Sequence, residues 1–350
     1  MRIWVDILTP KQVNFFAPLL KRLRRQGTRV LVTTREYREV NQLLKMRKIS
    51  ALKVGRHGGA PLKAKLISSA KRITRLASFL SSHGCESAIS FSSPEAARVA
   101  YGLAIPHNCV SDSPHAEAVS RLTIPLSKML FTPKAIPLDA WRSYGIDESR
   151  IVRYDALDPA AWLKDFEPDP NILDELGLDR SRPIVTIRPE ESQASYLISQ
   201  GFRSPLSMSL AQALVRETSQ IQVVMIPRYD LTTFARKLVG GSVVVTGSAI
   251  DATSLLHYSN LFLGGGGTMT AEAALLGVPS ISFYPGPPTY VESYLMRLGL
   301  VARIGSIRAI VRHAIRILDD PSYEKASRAK SKSIISKMED PIAVIEKYLK

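Results

Sequence analysis

At 350 residues the chain is long enough for two domains of ordinary size, each with its own core. Its composition, 45% hydrophobic and 22% charged, is that of a globular protein, and no apolar run reaches the ~18–20 residues that a membrane-spanning helix needs. The net charge of +16 is unevenly placed: residues 1–85 hold 19 Lys and Arg against 3 acids, Asp6, Glu36 and Glu39, and the remaining charges cancel.

The N-terminus, Met1 to Ile7, enters a strand pattern at once and does not read as a signal peptide. Arg2–Ile7 is predicted as a strand and Val13–Gln26 as a helix with Phe16, Leu19, Leu20 and Leu23 on one face. Strands follow at Arg29–Thr34, Ser50–Val54, Ser87–Phe91, Asn108–Val110 and Met129–Phe131. Helices are expected at Glu36–Arg47, Leu62–Ser82, Glu95–Gly102 and His115–Arg121. Residues 155–182, with Asp158-Pro159 and Pro168-Asp169-Pro170, break the alternation and read as a connection with a short helix at Asn171–Gly177. Alternation then restarts. Strands are predicted at Ile184–Ile187, Ile221–Ile226, Val243–Val245, Leu261–Leu263, Ile281–Tyr284 and Val301–Ile304. Helices are predicted near 205–218, 230–239, 251–258, 268–276, 289–298, 306–318 and 340–349.

This pattern predicts an α/β protein of two doubly wound, Rossmann-like domains facing across a cleft. The expected domains are 1–157 and 183–335, joined by 158–182, with 336–350 as a C-terminal helix returning to the first domain. Cys85 and Cys109 have neither metal nor disulfide-framework spacing, so both are expected as buried thiols of a cytoplasmic protein.

The densest motif is residues 261–284. A short apolar strand runs into Gly264, Gly265, Gly266 and Gly267; Thr268 or Thr270 can cap a helix; Gly277 and Pro279 then lead into the next strand. Strand, glycine loop and helix N-terminus together receive a phosphate, because the backbone can approach closely and free N–H groups favour an anion. No Lys-Ser or Lys-Thr follows the loop, so it is not a P-loop, and Met269 occupies the last glycine position of a dinucleotide fingerprint. Glu272, a turn into the helix, is placed to accept hydrogen bonds from ribose hydroxyls; the alternative is a tight turn with a capping carboxylate. Arg188 and Arg228 each follow a strand of the second domain, where a guanidinium fork suits a diphosphate.

The second half resembles the nucleotide-sugar-binding half of glycosyltransferases of the B-type fold, with UDP-N-acetylglucosamine 2-epimerases and the lipid-linked N-acetylglucosaminyltransferase of peptidoglycan synthesis as mechanistic relatives. The whole chain is similar to an archaeal and bacterial family of predicted glycosyltransferases. The marks are Asp6-Ile7 near Phe15-Phe16, Val54 to Gly59, Ser93-Pro94-Glu95, Asp112 with His115 to Ala118, Arg188-Pro189-Glu190, Pro227-Arg228-Tyr229, Gly265 to Met269 with Glu272-Ala273-Ala274, and Pro285-Gly286. In one departure, Gln12 and Asn14 stand where the family's first loop carries histidines.

The resemblance implies a glycosyltransferase with a nucleotide-sugar co-substrate, UDP-linked, and no other cofactor. A 2-epimerase and a non-catalytic nucleotide-sugar-binding protein are the alternatives. Asp6, Asp112, His115 and Glu117 are the expected catalytic groups: Asp6 as a base or a ligand of an acceptor hydroxyl, with a mere local cap as its alternative; His115 titrates near neutrality, and Asp112 or Glu117 is placed to orient it, unless the cluster only caps a helix. No Asp-x-Asp pair or His/Cys cluster suggests a metal site. The acceptor is expected to be a glycan or a polyprenyl-phosphate-linked molecule. The basic first domain is expected to touch an anionic membrane at the inner face of the cell through charge rather than insertion. Nucleic acid is the disfavoured partner, since no aromatic platform is interleaved with the cations.

Overall fold

The computed structural model describes residues 1–59, 61–190, 206–227, 243–247 and 249–349. The chain divides into two compact units, Met1–Trp162 with Met338–Lys350, and Leu163–Lys337. The predicted helix at 230–239 lies outside the described residues, as does Arg228.

The first unit is built on a seven-stranded parallel sheet: β1 (Arg2–Ile7), β2 (Arg29–Glu36), β3 (Leu52–Arg56), β4 (Ser87–Phe91), β5 (His107–Val110), β6 (Met129–Pro133) and β7 (Ile151–Tyr154). The order is β3-β2-β1-β4-β5-β6-β7, so the winding reverses between β1 and β4. Ile3, Trp4, Val5 and Ile7 are all buried, as expected of a parallel strand covered on both faces. β7 was not foreseen. It adds an edge strand to β6, and the first unit therefore runs on to Trp162, past the expected boundary. The final segment belongs to this unit: Arg22 pairs with Asp340 at 2.5 Å, the Glu339 amide donates to the Asp155 carbonyl, and Tyr348 packs edge-on against Phe131.

The second unit carries a six-stranded parallel sheet: β8 (Ile184–Arg188), β9 (Gln222–Met225), β10 (Val243–Val245), β11 (Leu261–Gly264), β12 (Ser280–Ser282) and β13 (Val301–Arg303). Its order is β10-β9-β8-β11-β12-β13, with the reversal between β8 and β11. The core packs Val185, Ile187, Leu263 and Ile281 against Leu210 and Leu214 of the helix Leu206–Glu217 and Ile310 and Ala314 of the helix Ile307–Asp319. A further helix, Pro321–Ile335, was missed because its surface is polar nearly all round; Ser331 is its buried residue.

Candidate functional site

In an open parallel sheet a ligand binds beyond the carboxyl ends of the strands where the winding reverses. In the second unit that point lies between β8 and β11, and there Gly264 pairs in register with Arg188. The Gly265 amide donates to the Arg188 carbonyl at 2.9 Å, which ties the glycine loop to the end of β8. The loop tolerates little else. A Cβ on Gly265 would lie 2.4 Å from the Glu190 nitrogen, and Gly266, at φ 92°, would meet the Tyr284 ring at 2.8 Å. The helix Thr268–Leu275 begins directly on Gly267, with no side chain capping its first turn. Its N-terminal amides and dipole are therefore offered to an anion. Gly264, Gly265 and Gly266 are buried, Gly267 is exposed and Thr268 is half-buried.

Glu272 is buried in this helix and its Oε1 accepts from the Thr253 hydroxyl at 2.6 Å. Arg188 donates through Nη1 to the carbonyls of Ile226 and Pro227, at 2.9 and 3.1 Å, linking the ends of β8 and β9. Beyond β12, Glu292 accepts from Ser282 and lies 3.7 Å from Arg303, whose other guanidinium nitrogen holds the Tyr284 and Gly286 carbonyls. That brace fixes the segment on which Gly266 rests. Thr253, Glu292 and Arg303 carried no signal in the sequence, because their partners lie 10 to 19 residues away across loops.

In the first unit the structure gathers a different group from the one expected. Lys11 lies 2.5 Å from Asp112 and 2.6 Å from Asp158, over the Phe91 ring at 4.1 Å. Ser113 donates to Asp112 and Tyr154 donates to Asp158 at 2.5 Å. Two acids around one lysine divide the proton. Burial raises the Asp158 carboxyl to about 6, with Lys11 opposing and Asp112 adding to the rise. Burial acts the same way on Asp112, but Lys11 and Ser113 hold it below the usual carboxylate range. Lys11 and Asp158 were absent from the expected set. Asp158 was read as linker because Asp-Pro punctuates loops, whereas it is buried.

His115 lies at the surface, and desolvation by its neighbours lowers its pKa against the pull of Asp112. Asp112 is thus the carboxylate whose charge reaches the ring. Glu117 is exposed and pairs with Arg121 at 2.8 Å, one helical turn on.

Asp6 requires a correction. It is fully buried, with Arg72 Nη2 at 2.5 Å and Nη1 at 3.0 Å, and it also accepts from Thr33 and Ser93 at 2.6 and 2.7 Å. Burial would raise its pKa, but Arg72 and the two hydroxyls hold it below the ordinary value. A carboxylate with every lone pair engaged does not take a proton from a substrate; Asp6 anchors the first sheet at its winding reversal. Gln12 is tied into the same region: its Oε1 accepts from the Leu8 amide and its Nε2 donates to the Phe91 carbonyl. Asn14 accepts from Arg47 at 3.4 Å. Among the described residues no three His, Cys, Asp or Glu side chains group closely enough to hold a metal ion.

Comparison with solved structures finds the same fold over the whole chain. The UDP-GlcNAc 2-epimerase of Neisseria meningitidis, bound to UDP-GlcNAc, superposes with a TM-score of 0.74 at 16% identity, covering 100% of this chain and 99% of that one. The UDP-GlcNAc 2-epimerase of Methanocaldococcus jannaschii, in complex with UDP-GlcNAc and UDP, gives 0.74 at 13% identity over 99% and 100%. A spinosyn rhamnosyltransferase complexed with spinosyn aglycone gives 0.65 at 13% identity over 99% and 100%. The fold is therefore the α/β architecture that B-type glycosyltransferases share with these epimerases. In sequence, the chain is 29% identical over 316 residues to an uncharacterised protein of Methanocaldococcus jannaschii, covering 89% of this chain and 90% of that protein. The family described as a protein of unknown function, DUF354, matches residues 1–348, and the chain belongs to that family.

Proposed function

We propose that the protein is a nucleotide-sugar-dependent glycosyltransferase. The observation that carries this reading is the glycine loop Gly264–Gly267 at the winding reversal of the second sheet, opening an uncapped helix that holds buried Glu272 one turn in. The loop amides, Thr268 and Arg188 face the diphosphate of a UDP-linked donor, with Arg228 as the further cation expected from the sequence. Glu272, oriented by Thr253, holds the ribose. The acceptor is a glycan or a polyprenyl-phosphate-linked hydroxyl compound. Its oxygen attacks the anomeric carbon, the bond from that carbon to the diphosphate oxygen breaks, and the nucleotide leaves with the electron pair. The hydroxyl proton passes to a general base, for which the sequence offers His115, Asp112 and Glu117. Amides and guanidinium groups stabilise the charge that develops on the leaving diphosphate.

A sugar-nucleotide 2-epimerase is the second reading, favoured by the higher TM-scores of the two epimerases. Incubation of the purified protein with UDP-, GDP- and TDP-sugars, with and without acceptors, separates the readings. Nucleotide release that depends on acceptor supports transfer. A new sugar nucleotide formed without acceptor replaces transfer by epimerisation. Binding without turnover leaves a non-catalytic binding protein.

A further inference from the structure

The long helix Leu62–His83 is two different surfaces along its length. Its second half is seated: Leu76 and Leu80 are buried, and Ile73, Ala77 and Phe79 pack with them around Trp4 and Val54. Its first two turns rest by one face on the segment Arg56 to Gly58, where Ser68 donates to the Arg56 carbonyl, and leave the other face bare. Leu62 is 73% exposed, Leu66 72% and Ile67 44%. Leu62 and Leu66 form one i, i+4 row, and the neighbouring row is Lys63, Ile67 and Lys71, with both lysines exposed. Three large aliphatic side chains thus stand in solvent within six residues, interleaved with cations.

The charge along this stretch of the chain has one sign. No acid occurs between Glu39 and Glu86, a stretch that carries ten Lys and Arg. We propose that this face of the first unit docks on an anionic lipid bilayer. Leu62, Leu66 and Ile67 enter the boundary between headgroups and acyl chains, and Lys63, Lys65 and Lys71 meet the lipid phosphates. The segment lies on the membrane and does not cross it: among the described residues no helix is long and apolar enough to span.

Charge and apolarity together select this occupant. A second copy of the chain would bring the same cations face to face. A nucleic acid would match the charge but gains nothing from three aliphatic side chains, and residues 61–71 contain no aromatic ring to stack on a base. The expectation from sequence was docking by charge alone, with the apolar residues of this helix in the core. That holds for Leu76 and Leu80 and fails for Leu62, Leu66 and Ile67. The inference rests on the first unit alone and is independent of the nucleotide reading.

Co-sedimentation of the full chain tests it, with vesicles of phosphatidylcholine alone and of equal parts phosphatidylcholine and phosphatidylglycerol, at low and high salt. The wild type is expected to bind the anionic vesicles, more weakly as salt rises, and not the neutral ones. The triple variant Leu66→Ser with Leu62→Ser and Ile67→Ser should weaken binding roughly tenfold or more. Lys63→Gln with Lys71→Gln should weaken it and flatten its salt dependence. All five positions are exposed, so melting temperatures should be unchanged, which separates lost docking from lost fold. No binding to anionic vesicles at low salt overturns the proposal, as does a triple variant that binds like the wild type. Self-association or nucleic-acid retention that the same variants abolish while vesicle binding persists would assign the face to another partner.

Discussion

At the scale of single residues the first unit is organised by buried charges, each answered by a partner far away in sequence. Arg72 reaches Asp6 across 66 positions and also donates from Nε to the Val54 carbonyl at 2.9 Å. Removing one partner of such a pair leaves the other charged and dry. Arg72→Leu should therefore destabilise the protein by about 3–5 kcal/mol in urea unfolding, and Asp6→Leu combined with Arg72→Leu by less than the sum of the two single changes. A cost for Arg72→Leu below that of a surface ion pair would show that Asp6 finds another partner. His107 gives the pH prediction. It is buried between the Ser90 and Ser127 hydroxyls, at 2.9 and 2.8 Å, and burial lowers its pKa to about 4. Between roughly pH 6.5 and 4 the unfolded chain takes up a proton that the folded chain does not, so His107 contributes stability above pH 6.5 that is lost as pH falls towards 4. The ceiling is about 3 kcal/mol at ~1.4 kcal/mol per pH unit. Asp158 works in the opposite sense: raised to about 6, it contributes stability at low pH that is lost as pH rises through 6. Unfolding free energy measured from pH 4.5 to 7.5 should fall less steeply towards acid in His107→Gln than in the wild type. It should fall more steeply in Asp158→Asn, which stays neutral. Parallel curves for wild type and His107→Gln would mean that the ring is not buried neutral.

At the scale of elements the glycine loop is a contact geometry rather than a flexible hinge. Gly266→Ala places a methyl group 2.8 Å from the Tyr284 ring at a backbone angle that L-residues avoid. It should lower UDP affinity at least tenfold in calorimetric titration, with the fold retained by circular dichroism. An unchanged affinity would remove the loop from the nucleotide site. Glu272→Ala should cost about 1.5–3 kcal/mol of UDP binding, the range of one charge-assisted hydrogen bond, and Thr253→Val a smaller part of it, since Thr253 only orients the carboxylate. This element was legible because its chemistry is local. Four glycines, a threonine-rich helix start and a Gly-Val-Pro stop write strand, loop and helix into 24 consecutive residues. The parallel alternation was legible for the same reason. What escaped was whatever depends on distant partners or on weak periodicity. β7 is a four-residue edge strand whose Ile151–Arg153 are only half-buried, so no apolar run announces it. The helix Pro321–Ile335 lacks an apolar stripe. Lys11, Asp158 and Arg72 are ordinary loop and helix cations and acids until the sheet closes, and spacing along the chain carries no trace of that meeting. The exposure of Leu62, Leu66 and Ile67 was hidden for the converse reason: periodicity marks a residue as apolar without saying whether anything covers it.

At the scale of the whole molecule, two units each hold a sheet with its own apolar core, one around Leu76, Ala96 and Val99 and the other around Val185, Leu210 and Leu263. Chains organised in this way commonly unfold in more than one step, so the calorimetric enthalpy should exceed the van't Hoff enthalpy of the main transition. The nucleotide reading then makes a directional prediction. Every donor-site residue named from the second unit lies within Leu163–Lys337. A ligand that binds only the folded form of one unit stabilises that unit by mass action, by about 2.7 kcal/mol at a hundred times its dissociation constant. For a unit of this size that is a rise of several degrees, at ~2–4 °C per kcal/mol. UDP should therefore raise one transition by several degrees and leave the other nearly in place, and Glu272→Ala should abolish most of that shift at the same UDP concentration. The transition that moves can be identified by the substitutions themselves: Arg72→Leu should lower the stationary one and Gly266→Ala the mobile one. Equal movement of both transitions with UDP would mean that the nucleotide's contacts extend to the first unit. Movement of the Arg72-sensitive transition alone would place the nucleotide on the first unit and reverse the roles given to the two halves of the chain.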